Sequence, residues 1–187
     1  MIREVPVVGP DRALTIMLEH LDGRTGTCWV GIDGRGGSGK TAFAERVRRL
    51  IPDTVVIHVD DFFRAGVDGW DRDGFTTEVV GPVMAGRTGR YRRWNWATQR
   101  EGAWLEVAPG GVLVVEGVSA TDCRLDIGWE LTVWVDTPAE VRWRRVMERD
   151  GEAWRDTWLN VWIPSEDAYV REQRPQDRVD LIVDTTR

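Results

Sequence analysis

Residues 34–41 read Gly-Arg-Gly-Gly-Ser-Gly-Lys-Thr, and this octapeptide restricts the fold more than any other stretch of the chain. Its glycines let the backbone curl until successive N–H groups face one anion. The spacing G-x-x-x-x-G-K-[ST] carries that chemistry only between a strand and a helix, whose N-terminal end adds positive potential at the same point. Both neighbours are present. Residues 28–32 form a short apolar run that reads as a buried strand, and 40 to about 50 reads as a helix stopped before Pro52. The spacing predicts a loop in which Gly34, Gly36, Gly37, Ser38 and Gly39 wrap the phosphates of a nucleotide. Lys40 would reach the β- and γ-phosphates as a point charge, and Thr41 would offer its hydroxyl to Mg²⁺. Lys40 is also the only lysine among 25 lysines and arginines, which marks a position where arginine does not serve.

The rest of the chain continues the alternation. Leu14, Met17, Leu18 and Leu21 fall at helical spacing, with Asp11 as a candidate cap. Residues 54–59, 112–115, 131–135 and 179–183 are apolar, β-branched runs expected as strands. Pro138 suits the first turn of a helix reaching about Arg149, and 152–174 reads as helical in parts with a break near Pro164. Residues 60–110 read as irregular, apart from a helical patch (Val79, Val80, Val83, Met84) and the aromatic segment 91–96. Strands apolar throughout, alternating with helices, indicate a parallel sheet covered on both faces. The expected fold is α/β, a single three-layer P-loop NTPase domain over 1–187 with a parallel central sheet. Ligands of such sheets bind beyond the carboxyl ends of the strands.

Composition narrows the partners. A formal net charge of −6 argues against a protein that wraps nucleic acid. No run approaches the ~20 apolar residues of a membrane span, and the N-terminus lacks the pattern of a signal peptide. Cys28 and Cys123 form no metal or disulfide pattern, so a cytoplasmic location is expected. A homo-oligomer is left open.

Acids stand where the strands end. Asp60, with Asp61, closes the run 54–59, where a carboxylate can take the proton of an attacking hydroxyl or orient a metal-bound water. Glu116 closes 112–115, a place for Mg²⁺ beside the phosphates or for an acid capping a turn. Asp136 precedes Thr-Pro and reads as a helix cap. Arg142, Arg145 and Arg149 share one helix face, which suits either closure over phosphates or a solvated basic surface.

Taken together these segments resemble the uridine kinase-like nucleoside kinases of the P-loop superfamily. Asp60-Asp61-Phe62-Phe63 is similar to that family's D-x-F-[YF], which implies Asp60 as catalytic base. Trp70-Asp71, with Phe75 downstream, is similar to its F-D-H-P-x-A-F, which implies that Asp71 holds sugar hydroxyls. Glu116-Gly117 matches its E-G, implying an Mg²⁺ role. Asp136-Thr137 with Arg142, Arg145, Arg149 and Asp150 matches its lid helix, and 174–183 resembles its last strand. The resemblance favours Arg145 as the phosphate-contacting arginine. Where the family carries Y-D-F before a base-binding histidine, this chain has Trp94-Asn95-Trp96 and Gln99. The expected acceptor flap covers about 64–110, with Trp94 stacking on a ring and Asn95 and Gln99 near it; the lid covers about 138–163.

The resulting expectation is a kinase using ATP and Mg²⁺ to phosphorylate a hydroxyl of a small molecule, a nucleoside first. A kinase for another hydroxyl (antibiotic, sugar or vitamin) and a nucleotide-dependent switch are the alternatives.

Overall fold

The structure is a computed structural model and describes residues 4–67 and 69–187. An edge strand, β1 (Val7–Val8), is followed by α1 (Pro10–Leu21), β2 (Thr27–Asp33), α2 (Lys40–Leu50) and β3 (Thr54–His58). The middle segment holds α3 (Arg72–Phe75), a π-helical turn (Thr76–Val80), α4 (Gly81–Met84) and the strands β4 (Gly89–Asn95) and β5 (Arg100–Val107). Then come β6 (Gly111–Glu116), β7 (Trp129–Asp136), α5 (Ala139–Asp150), α6 (Arg155–Thr157), α7 (Ile163–Gln173) and β8 (Leu181–Asp184). Six strands form one sheet in the order β1-β8-β7-β2-β6-β3, every neighbouring pair parallel.

The apolar runs form strands because each buries both faces. On one side Val30, Ile32, Val114, Val133 and Val135 pack under Ala13, Leu14 and Met17 of α1 and Phe43, Ala44 and Val47 of α2. On the other, Trp29, Ile57, Leu113 and Val115 meet Phe62, Phe75, Val79, Tyr91 and Val107 from the middle segment. Full burial of each such side chain contributes about 1.5–3 kcal/mol before entropy is counted. The register then fixes the site. Ile32 and His58 both lie opposite Glu116, so β2, β6 and β3 end on one rim.

Several expectations change. The middle segment is not irregular: β4 and β5 pair as an antiparallel hairpin. Tyr91 of β4 stacks on Phe62, with ring centroids 4.5 Å apart. The helical patch forms, but Met84 points outward and is 65% exposed. Chain direction is not broken at Pro164, because a π-helical turn, Trp158–Trp162, runs straight into α7 and the proline sits in the first turn, where no amide donor is required. Asp11 and Asp136 are not caps. Gly9 and Pro138 occupy the cap positions, and Pro10 takes the first turn of α1. Asp60 and Asp61 open a 3₁₀ turn, Val59–Phe62, since β3 already ends at His58.

Candidate active site

The phosphate loop is held from below by Asp33. Its Oδ1 accepts the N–H groups of Gly34 (2.7 Å) and Ser119 (2.9 Å), and its Oδ2 accepts the hydroxyls of Thr121 (2.7 Å) and Tyr169 (2.6 Å). At Gly37 the backbone has φ +74°, and a Cβ there would stand 2.6 Å from the carbonyl oxygen of Arg142, so only glycine lets α5 lie this close. Buried Lys40 donates from Nζ to the Arg35 carbonyl at 2.9 Å. Ser38 is fully buried, its Oγ has no partner among the described residues, and its carbonyl receives the Thr137 hydroxyl at 2.9 Å.

Thr41 and Glu116 meet beside the start of α2. The Thr41 hydroxyl donates to Glu116 Oε1 at 3.1 Å, and His58 Nδ1 lies 2.5 Å from the same oxygen. That contact raises the His58 pKa, against a smaller opposing effect of burial. Glu116 Oε2 is buried with no partner among the described residues. A hydroxyl beside a buried, unsatisfied carboxylate oxygen fits a hard divalent cation, which takes few protein ligands and completes its shell with water and phosphate. Among the described residues no group of three or more His, Cys, Asp or Glu could hold a metal ion by itself.

Asp60 opens to solvent at the surface of the cleft, yet it is packed closely among protein atoms. Desolvation raises its pKa first, and the charge of Glu116 adds to the rise; Lys40, Arg149 and His58 pull it back. Burial raises Asp61 as well, opposed by His58 and by the Tyr91 hydroxyl, which donates to its Oδ2 at 3.1 Å.

The arginine face of α5 lies along the loop. Arg142 donates to the Thr137 carbonyl at 3.1 Å. Arg145 reaches the carbonyls of Gly37 (3.2 Å) and Ser38 (3.4 Å). Arg149 makes two bonds to Asp150, at 2.6 and 2.8 Å, and its charge acts on Asp60. The loop, Thr41, Glu116, Asp60 and these arginines therefore converge.

The expected acceptor residues are placed less uniformly. Asp71 caps α3, its Oδ1 accepting the Gly74 N–H at 2.8 Å. Trp94 is buried against Phe63, ring centroids 5.3 Å apart, and its Nε1 has no partner among the described residues. Asn95 Oδ1 accepts the N–H groups of Ala97 (3.0 Å) and Thr98 (3.1 Å), and Gln99 Nε2 donates to the Trp96 carbonyl at 2.8 Å. Both side chains are spent on closing the hairpin turn. Sequence reasoning gave no role to Asp33, His58 or Glu166. Glu166 is buried on α7 and its Oε1 accepts the Gly36 N–H at 2.9 Å; burial raises its pKa, opposed by that bond and by Lys40, Arg142 and Arg35.

A protein described as a possible uridine kinase from Bacillus stearothermophilus superposes with a TM-score of 0.70, at 19% identity, over 94% of this chain and 97% of that one. The chain has the P-loop kinase fold. A protein described as a candidate fructose transport system kinase from Silicibacter sp. TM1040 shares the P-loop kinase fold at a TM-score of 0.61, 19% identity, over 94% of this chain and 98% of that one. In sequence, uridine kinases of Borrelia hermsii (strain HS1 / DAH) and Borrelia turicatae (strain 91E135) are each 24% identical over 137 residues. The match takes in 65% of this chain and spans 66% of the length of each relative. A scan against protein-family models finds no match. In open parallel α/β sheets ligands bind beyond the carboxyl ends of the strands, which here is the rim formed by β2, β6 and β3. Among the described residues no helix is long and apolar enough to cross a membrane.

Proposed function

We propose that this chain moves the γ-phosphate of ATP to a hydroxyl of a small molecule, and that the acceptor is a nucleoside. The observation that carries the reading is Asp60: a carboxylate with a raised pKa, within the electrostatic reach of Lys40, Arg149 and Glu116, at the rim where the phosphate loop opens. The N–H groups of 34–41 cradle the phosphates, and Lys40 leaves the Arg35 carbonyl to neutralise the β- and γ-oxygens. Thr41 and Glu116 would hold Mg²⁺, which supplies charge neutralisation on the phosphate oxygens. Asp60 accepts the acceptor's hydroxyl proton, and a raised pKa strengthens it as a base. Arg145, with Arg142 and Arg149, opposes the charge that builds during transfer. Asp71 and Trp94 border the acceptor side, and closing the cleft would exclude water that otherwise hydrolyses ATP.

A second reading keeps the transfer and changes the acceptor to a sugar or another non-nucleoside alcohol. Its support is the use of Asn95 and Gln99 in the turn, which leaves no base-reading pair at that position. ATP consumption measured across nucleosides, sugars and amino-alcohols separates the two: a nucleoside response supports the first reading, and silence on every nucleoside with turnover on another alcohol supports the second. No binding of ATP with Mg²⁺ would refute both.

A further inference from the structure

Helix α7 touches the phosphate loop at two points and the Asp33 beneath it at a third. The Tyr169 hydroxyl bonds Asp33, Asp167 pairs with Arg35 at 2.5 Å, and Glu166 Oε1 accepts the Gly36 N–H at 2.9 Å. The Glu166 contact has a specific partner on the other side of the same peptide group. The Arg35–Gly36 peptide gives its N–H to Glu166 and its C=O to Lys40 Nζ. One rigid plane is thus gripped from both ends, and because a peptide group is planar, turning one end turns the other. The ring of Trp158 closes the remaining space: a Cβ on Gly36 would stand 2.5 Å from it.

A carboxylate beside an anion-binding loop opposes the phosphates, so its presence calls for an offsetting gain. Glu166 is 5% exposed, and its Oε2 is buried without a hydrogen-bond partner among the described residues. Lys40, Arg142 and Arg35 are the charges that act on it. We propose that Glu166 is a positioning residue for Lys40: by fixing the Arg35–Gly36 peptide plane it sets the resting place of the ammonium that meets the nucleotide. The geometric part stands on the contacts alone; only the consequence for ATP rests on the proposed function.

The chain offers a direct readout, because Lys40 is its only lysine. Timed acetylation without nucleotide, followed by mass spectrometry of the peptide carrying Lys40, reports how firmly the amine is held. Glu166→Ala frees the plane and is expected to speed acetylation about fivefold, the loosening that one ordinary hydrogen bond allows. Glu166→Gln keeps an oxygen acceptor for the Gly36 N–H and is expected to label at the wild-type rate. Glu166→Asp keeps the charge but shortens the reach, and is expected to behave like Ala; it carries the test if the Ala variant loses its unfolding transition. Labelling of both Ala and Asp at the wild-type rate overturns the proposal, as does Gln labelling as fast as Ala. Glu166→Ala and Glu166→Asp should raise KM for ATP about fivefold with kcat unchanged, and Glu166→Gln should keep the wild-type KM. A wild-type chain without ATP turnover would refute the kinase reading and leave the labelling result standing.

Discussion

Gly37→Ala tests whether helix α5 and the phosphate loop are one packed unit. The added methyl would stand 2.6 Å from the Arg142 carbonyl oxygen, 3.0 Å from Val146 Cγ1 and 3.1 Å from Arg142 Cα. Two of these atoms are backbone, so α5 must shift for the methyl to fit. The left-handed φ of +74° costs about 1–2 kcal/mol for an L residue. Overpacking adds about 1–3 kcal/mol, for a total of about 2–5 kcal/mol. At about 2–4 °C per kcal/mol for a domain of this size, Tm should fall by about 4–20 °C. Gly86→Ala is the control. Its φ is +71°, but nothing lies within 4 Å of the new Cβ, so only the backbone cost of about 1–2 kcal/mol applies. Thermal unfolding followed by circular dichroism measures both. Because α5 carries Arg142, Arg145 and Arg149, Gly37→Ala should also raise KM for ATP while Gly86→Ala leaves it alone. If both variants melt together and bind ATP alike, the close contact between the loop and α5 is refuted.

Asp60→Asn should abolish turnover while keeping ATP affinity, checked by coupled assay and calorimetry; retained turnover would remove Asp60 as the base. In the wild type kcat/KM should rise with pH through an inflection above the ordinary carboxylate range, since the working base is deprotonated and its pKa is raised by burial. The same shift has a stability sign: a carboxyl whose folded pKa is raised destabilises the fold as pH climbs from the ordinary value through the raised one, so Asp60→Asn should melt higher than wild type at neutral pH and no higher below the ordinary range. Glu116→Gln should raise the Mg²⁺ concentration needed for half-maximal turnover by about tenfold, read from a metal titration at saturating ATP; an unchanged titration curve would place the ion elsewhere. Arg145→Ala should lower kcat about 100-fold with a small change in KM for ATP, and an unaltered kcat would return this arginine to the solvated surface.

The loop and the rim were legible because their signals are local. Glycines at fixed offsets and buried runs such as 112–115 report their own conformation. The hairpin was not, because β5 shows no alternation: Trp104 is 52% exposed, and only Val107 of that strand is buried. In β4 the buried series Gly89, Tyr91, Trp94 loses its period of two at the bulge between Arg92 and Trp94. An asparagine ahead of the turn was a usable signal for it, since Asn side chains bond the backbone two residues on. Glu166 could not be read from sequence at all, because its partner Gly36 lies 130 residues away.

The hairpin shares no strand with the main sheet. Lengthening, shortening or resculpting its tip therefore removes no ladder bond from the six strands that carry the loop and Glu116. On the proposed function, what the cleft admits and how phosphate leaves ATP would be written on separable pieces of chain. Such a division lets a lineage retailor its choice of alcohol while the transfer apparatus stays still, and it makes residues 95–100 the place to begin when redesigning selectivity.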